Sequence, residues 1–221
     1  MNDLSDPHID ERLIRYAINN LSDLHIDERL IRCVRFDDLA GVASLLAQGA
    51  DPHASDFTAL RLAAHHGHVE CLRLLIPVSG LAAAAFQCAR VAARGGHAEC
   101  VRLLVFASGP TDTYTKALHQ AAINGCDECV KLLIPVSSPL VEILGALIST
   151  ASNGHASTLS IMFAHEPRLL ELLDFPSLLA TAQENRHAEL AHLLSSIVER
   201  QSLRAHVPEP APSLSSPPPR L

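Results

Sequence analysis

Apolar positions recur along this chain on two scales. Locally they follow helical spacing: Val69, Leu72, Leu75 and Ile76 fall at i, i+3, i+6 and i+7, the stripe of a helix buried along one side. Over longer distances the whole stretch returns. The run from Gly67 to Ser79 reappears from Gly96 to Ser108 and again from Gly125 to Ser137, at 29 residues each time. A weaker copy opens at Gly154, 29 residues further on, another at Arg186 after 32, and Asp37 to Gln48 fits the same template upstream.

Each unit reads as two helices. The first carries small residues, as in Ala59-Leu60-Arg61-Leu62-Ala63-Ala64 and Ala117-Leu118-His119-Gln120-Ala121-Ala122, which let a neighbouring helix approach closely. A glycine at 67, 96, 125 or 154 breaks that helix, and Pro77 and Pro135 are expected to stop the second. Helix pairs this short cannot bury their apolar faces alone, so the period predicts an all-α solenoid of about six pairs.

Thr58 to Leu75 resembles an ankyrin repeat, and Leu45-Leu46-Ala47-Gln48-Gly49-Ala50-Asp51-Pro52 resembles the end of the one before it. The resemblance covers residues 28–200. It implies an ankyrin-type solenoid in which the family's 33-residue period is cut to 29, with the β-hairpin finger between repeats reduced to a tight turn after the first unit. The family's Thr-Pro-Leu-His tetrad survives only as Thr58-Ala59-Leu60-Arg61 and Lys116-Ala117-Leu118-His119. Leucine-rich repeats share the 29-residue length, but their Leu-x-Leu strand ending in Asn or Cys does not recur.

Composition agrees with helices: 35 Leu and 31 Ala stand against six Phe, two Tyr and no Trp, a mixture that favours helices over sheets. The net charge of −7 gives a nucleic-acid partner no support at the level of the whole chain. No apolar run is long enough to span a membrane, and Asp3, Asp6 and Asp10 are unsuited to the basic start of a signal peptide.

The ends differ from the array. Leu4 to Arg15 recurs at Leu21 to Arg32 with one change, Pro7 to Leu24, at an offset of 17. Seventeen residues turn a helix about 1700°, so the copies cannot share one face of a continuous helix. The second copy is read as the opening helix of the first repeat, through Leu30, Cys33 and Val34. The first copy, in residues 1–27, is read as a helix capping the stack, N-capped by Asp6 with Pro7 in its first turn; a partner-binding helix is the alternative. Residues 201–221 read as a disordered Pro/Ser-rich tail without a complete SH3-binding motif.

Six cysteines and 13 histidines invite metal or redox readings. Cys71, Cys100 and Cys129 hold one repeat position, which spaces them by a helix-packing distance of about 8–10 Å, too far for a disulfide or a shared zinc. Cys126 and Cys129 form a lone C-x-x-C. The thiols read as buried and reduced, which fits a cytoplasmic, reducing setting. His68, His97, His155 and His187 follow the turn glycine or its equivalent and read as structural. His65 and His66 point about 100° apart on one helix and do not share an ion easily. No catalytic motif, cofactor loop or metal-ligand spacing stands out. Glu70, Glu99 and Glu128, each three before a basic residue, read as a solvated ion-pair stripe.

In ankyrin proteins the partner usually lies against the first helices and the turns before them. By position the resemblance implies partner contacts at Arg35, Phe36, Phe57, Arg61, His65, His66, Arg90, Arg94, Tyr114, His119, Ile123, Asn124, Ser152 and Asn153. Residues 61–137 carry seven basic and five acidic residues, whereas 1–60 carry five and eleven and 138–200 three and seven. The middle of the groove should therefore favour an acidic or mixed protein segment. For Arg61 and Arg90 a packing role against the next repeat competes with that reading. The expected function is a monomeric, non-catalytic protein-binding module without cofactor. The compact Cys-bearing repeats resemble bacterial ankyrin proteins, some of which are delivered into host cells, so a host-directed effector is one version of it. The alternative is an interaction domain serving an enzyme activity supplied elsewhere.

Overall fold

A glycine-centred turn fixes the unit. Between the two helices of each unit the backbone N–H of the residue just before the second helix donates to the carbonyl five residues back: Asp38 to Cys33, His68 to Ala63, His97 to Ala92, Cys126 to Ala121, His155 to Thr150 and His187 to Ala182. This closure requires a left-handed residue just before the donor. Gly67, Gly96, Gly125 and Gly154 supply it with φ between 67° and 79°, while Asp37 and Arg186 adopt φ of 55° and 60° at the two ends of the array. Six such turns give six helix pairs. The donors are spaced by 30, 29, 29, 29 and 32 residues.

The computed structural model describes residues 25–80, 84–109, 114–137 and 140–205, and among them there is no strand. The pairs are α1 (Ile26–Arg35) with α2 (Leu39–Ala47), α3 (Ala54–His66) with α4 (Val69–Leu75), and α5 (Ala85–Gly95) with α6 (Ala98–Ser108). They continue as α7 (Thr115–Ile123) with α8 (Asp127–Leu133), then α9 (Leu140–Ser152) with α10 (Ala156–His165). A short helix α11 (Leu169–Leu172) occupies the longer step before α12 (Phe175–Glu184) and α13 (Ala188–Ala205). First helices stack in one row and second helices in another, the solenoid the period predicts. Residues 1–24 and 206–221 lie outside the described residues, and with them the expected N-terminal cap and most of the tail. Among the described residues no helix is long and apolar enough to cross a membrane.

The core is built from the repeated small residues. Ala63 and Ala64, Ala92 and Ala93, and Ala121 and Ala122 are all inaccessible to solvent, as are Leu72, Leu75, Leu104 and Leu133. The prolines act as expected: α4 and α8 end at Leu75 and Leu133, each followed by a 3-10 turn, Ile76–Val78 and Ile134–Val136, that contains the proline. Phe106 holds the same position in the unit between them. Without the ring that blocks the helical bond, α6 continues to Ser108.

Adjacent units are joined by a ladder of side-chain bonds to backbone. The rings of His97, His155 and His187 place Nε2 at 3.0, 2.8 and 3.0 Å from the carbonyls of His65, Ile123 and Ser152 in the unit before. Those acceptors sit at one repeat position, whose fourth member is Arg94. There the next unit has Cys126 instead of histidine, and the side chain of Asn124 donates to the Arg94 carbonyl at 3.0 Å. Each bond contributes about 1 kcal/mol net. At the first interface Asp37 acts differently, accepting from the Cys71 thiol at 3.3 Å and facing His68 Nδ1 at 3.5 Å.

The cysteine ladder is buried. Cys71, Cys100 and Cys129 are inaccessible to solvent, and burial above all pushes their thiols up to about 12, 11 and 12. Cys33 and Cys88 behave alike, at about 11 and 12. At neutral pH these sulfurs are neutral and pack as small apolar groups. All six cysteines are free thiols, with Cys126 alone half-exposed.

Candidate protein-binding groove

The row of first helices presents side chains in register. Aligned on the turns, Arg61, Arg90, His119 and Ile148 form one column across α3, α5, α7 and α9. Arg35, His65, Arg94, Ile123 and Ser152 form a second, one helical turn away along the same face. Furrows between neighbouring helices cut across these columns. One of about 330 Å³ is lined by Thr58, Arg61, Leu62, His65, Gln87, Arg90, Val91 and Arg94. The next, about 510 Å³, is lined by Arg90, Thr115, Lys116, His119, Gln120 and Gly145. Arg90 borders both, so they form one groove.

Charge divides the two rows of helices. On the second helices Glu70, Arg73, Glu99 and Arg102 form a continuous chain, with Arg73 bonded to Glu70 in its own unit and to Glu99 in the next, both at 3.3 Å, and Glu99 bonded to Arg102. Lys131 pairs with Glu128 at 2.6 Å. The Arg102 guanidinium beside Glu99 holds its carboxyl below the usual range. In the groove Arg61 alone is paired among the described residues: its guanidinium folds back to Asp56 at 3.4 Å and to the Thr58 hydroxyl at 3.3 Å. Among the described residues no carboxylate pairs with Arg90, Arg94 or Lys116, and all three are exposed.

The structure thus brings Arg61, His65, Arg90, Arg94 and His119 together on one surface. Arg35 and Phe36 are exposed at the end of α1, with Phe36 41% accessible. His66 is exposed on α3, its ring centroid 4.8 Å from His65 and 5.5 Å from His68. Burial first, and then the neighbouring His65 and His68, lower its pKa. Among the described residues no three such side chains converge as metal ligands. Phe57 is half-buried at the mouth of the groove, ring to ring with His53 at 5.0 Å, on a turn where Ser55, Asp56 and Phe57 all have φ of 55–57°. Three successive left-handed residues without glycine carry about 1–2 kcal/mol of strain each.

Tyr114 must be corrected. It is 0% exposed, its hydroxyl bonds to Ser108 and donates to the Leu104 carbonyl at 3.2 Å, and it offers a partner nothing. Asn124 is exposed, but its amide is committed to Arg94 as an inter-unit bond. Ile123 is half-buried. Ser152 and Asn153 are exposed at the end of α9, their side chains bonded back to Ile148 and Ser149 carbonyls at 3.0 and 2.8 Å. His119 reaches the Ser149 hydroxyl of the next unit at 3.0 Å. The groove also includes Thr58, Gln87, Lys116 and Gly145, a single repeat position that sequence reasoning passed over, and the 29-residue register was the signal for it.

Two family models match the chain: residues 30–76 match ankyrin repeats described as many copies, and 87–143 match ankyrin repeats described as three copies. No curated protein shows significant sequence similarity to it. Among solved structures, the ankyrin repeat domain of human ASB11 is similar in fold, with a TM-score of 0.57 at 20% identity, over 76% of this chain and 82% of that one. The six capped helix pairs, the two model matches and this shared fold agree: the chain belongs to the ankyrin repeat family, whose repeats are generally non-catalytic protein-interaction modules.

Proposed function

We propose that the chain is an adaptor that holds an acidic protein segment in the groove between Arg61 and His119. The observation that supports this is the uneven use of basic side chains. Arg73, Arg102 and Lys131 on the second helices are neutralised by their own glutamates, whereas Arg90, Arg94 and Lys116 on the first helices face solvent without a carboxylate partner among the described residues. Unpaired guanidiniums lining a furrow are available to an incoming carboxylate, and their long-range field speeds its approach. Leu62 and Val91 between them supply apolar area for the segment's backbone and stems.

The test is binding of labelled acidic peptides by fluorescence anisotropy. Wild type should bind with an affinity that falls as salt rises, because exposed charges are screened. Arg90→Glu with Arg94→Glu should abolish binding while circular dichroism remains unchanged. Binding that survives both substitutions would place the partner elsewhere. The Arg61 packing alternative predicts a different pattern, in which Arg61→Ala lowers stability and leaves peptide affinity intact.

A further inference from the structure

Both columns of the groove turn from basic to apolar, one unit apart. One runs Arg61, Arg90, His119 and then Ile148, which is 48% exposed. The other runs Arg35, His65, Arg94, then the half-buried Ile123 on the helix of His119 and the exposed Ser152 on the helix of Ile148. The register puts the two isoleucines on neighbouring helices, α7 and α9, so beyond Arg94 in one column and His119 in the other the basic side chains give way to an apolar pair. Near Ile148 the groove wall is Gly145, which leaves room beside it.

Periodicity turns these columns into a ruler. Neighbouring helices pack about 8–10 Å apart, and an extended chain advances about 3.3 Å per residue, so one step of the column equals three ligand residues. The two columns lie one helical turn apart, about 5.4 Å, which is narrower than the 10–12 Å of a helix with its side chains and suits an extended segment. Resting on the proposed reading of the groove as a site for an acidic segment, we infer that it takes an extended segment with carboxylates three residues apart, one displacing the exposed Asp56 from Arg61 and one over Arg90, and an apolar side chain six residues beyond, on Ile148.

Three synthetic peptides of one composition test this. The matched peptide has two Asp three residues apart and a Leu six residues further. The second has the Asp residues adjacent, and the third has the Leu beside the acids. Each is made in both chain directions. Anisotropy titrations should show the matched peptide, in one direction, binding about tenfold tighter than either rearrangement, since charge alignment and apolar burial each contribute. Ile148→Ser should erase the advantage over the third peptide and keep the advantage over the second. Because Ile148 is exposed the fold should tolerate this, and Ile148→Ala serves as a milder check. Equal affinity for all three peptides, still lost in Arg90→Glu with Arg94→Glu, would overturn the spacing and leave the groove. Affinity unaffected by those arginine substitutions would overturn the groove reading itself.

Discussion

Gly67 and Gly96 hold the same turn with almost the same backbone, φ 76° and 75°, but different neighbours in the next unit. A Cβ added at Gly67 would lie 2.6 Å from Nδ1 and 2.9 Å from Cε1 of His97, whereas at Gly96 the nearest atom is Cys126 Sγ at 3.3 Å. Alanine at either position pays the left-handed penalty of about 1–2 kcal/mol, so that cost cancels in the comparison. What remains is the ring. His97 must move by several tenths of an ångström, and it is held at 3.0 Å by the His65 carbonyl, so the shift breaks a bond worth about 1 kcal/mol and loosens the packing around it. Gly67→Ala should therefore cost about 1–2 kcal/mol more than Gly96→Ala, read from urea denaturation followed by circular dichroism. Gly125→Ala, whose Cβ would meet His155 at 2.5 Å, should behave like Gly67→Ala. The double variant Gly67→Ala with His97→Ala removes the collision and should cost less than the two singles added together. Equal losses at 67, 96 and 125 would refute the account of the histidine ladder.

Arg186 occupies the glycine position of the last unit with φ 60°, so Arg186→Gly should raise stability by about 0.5–1 kcal/mol, relief of strain exceeding the added chain entropy; a lower urea midpoint would contradict this. Asn124→Ala should cost about 1 kcal/mol by releasing the Arg94 carbonyl, and adding Cys126→His should recover it by rebuilding the missing rung, again read from urea midpoints. The buried thiols are raised from an ordinary 9.0 to about 11–12, so their contribution is complete below pH 9. It fades as pH climbs through the folded values, because the unfolded chain ionises first; thermal melts from pH 8 to 11 should show falling stability, with a shallower fall in Cys88→Ala. Iodoacetamide at neutral pH should label Cys126 before the other five, and equal labelling of all six would contradict their burial.

The period made the scaffold legible because each unit repeats the same physical solution. Helix pairs, turn glycines, buried alanines and the structural role of the histidine after the turn all follow from comparing one copy with the next. Tyr114 shows the limit of carrying contacts over by position. The resemblance put it among the contacts before a first helix, yet its repeat equivalents Ala85 and Ile143 are both buried, and so is Tyr114. A tyrosine fits there because its hydroxyl donates to the Leu104 carbonyl and bonds to the Ser108 hydroxyl. Asn124 was harder to read. Its role depends on a substitution two residues away, Cys126 for histidine, and becomes visible only when the Arg94 carbonyl is seen to lack its usual donor. The split between neutralised and free cations was half legible: Glu three before Arg or Lys shows the pairing on the second helices, but not that Arg73 also reaches Glu99 in the following unit.

The same ladder explains how scaffold and recognition can occupy one face without interfering. The carbonyls of His65, Arg94, Ile123 and Ser152 edge the groove, and each already accepts from the following unit. The backbone at that edge therefore has little left to offer a ligand, and discrimination falls to side chains such as Arg90, Arg94 and Ile148, none of which bonds to a neighbouring unit among the described residues. Changes at these three should alter binding at little cost to stability, typically within about 0.5 kcal/mol for exposed sites. Changes at His97, Asn124 or His155 should do the reverse, lowering stability first. A set of variants measured in parallel for urea midpoint and peptide affinity should fall into these two groups, and a groove arginine whose loss unfolds the array would break the division.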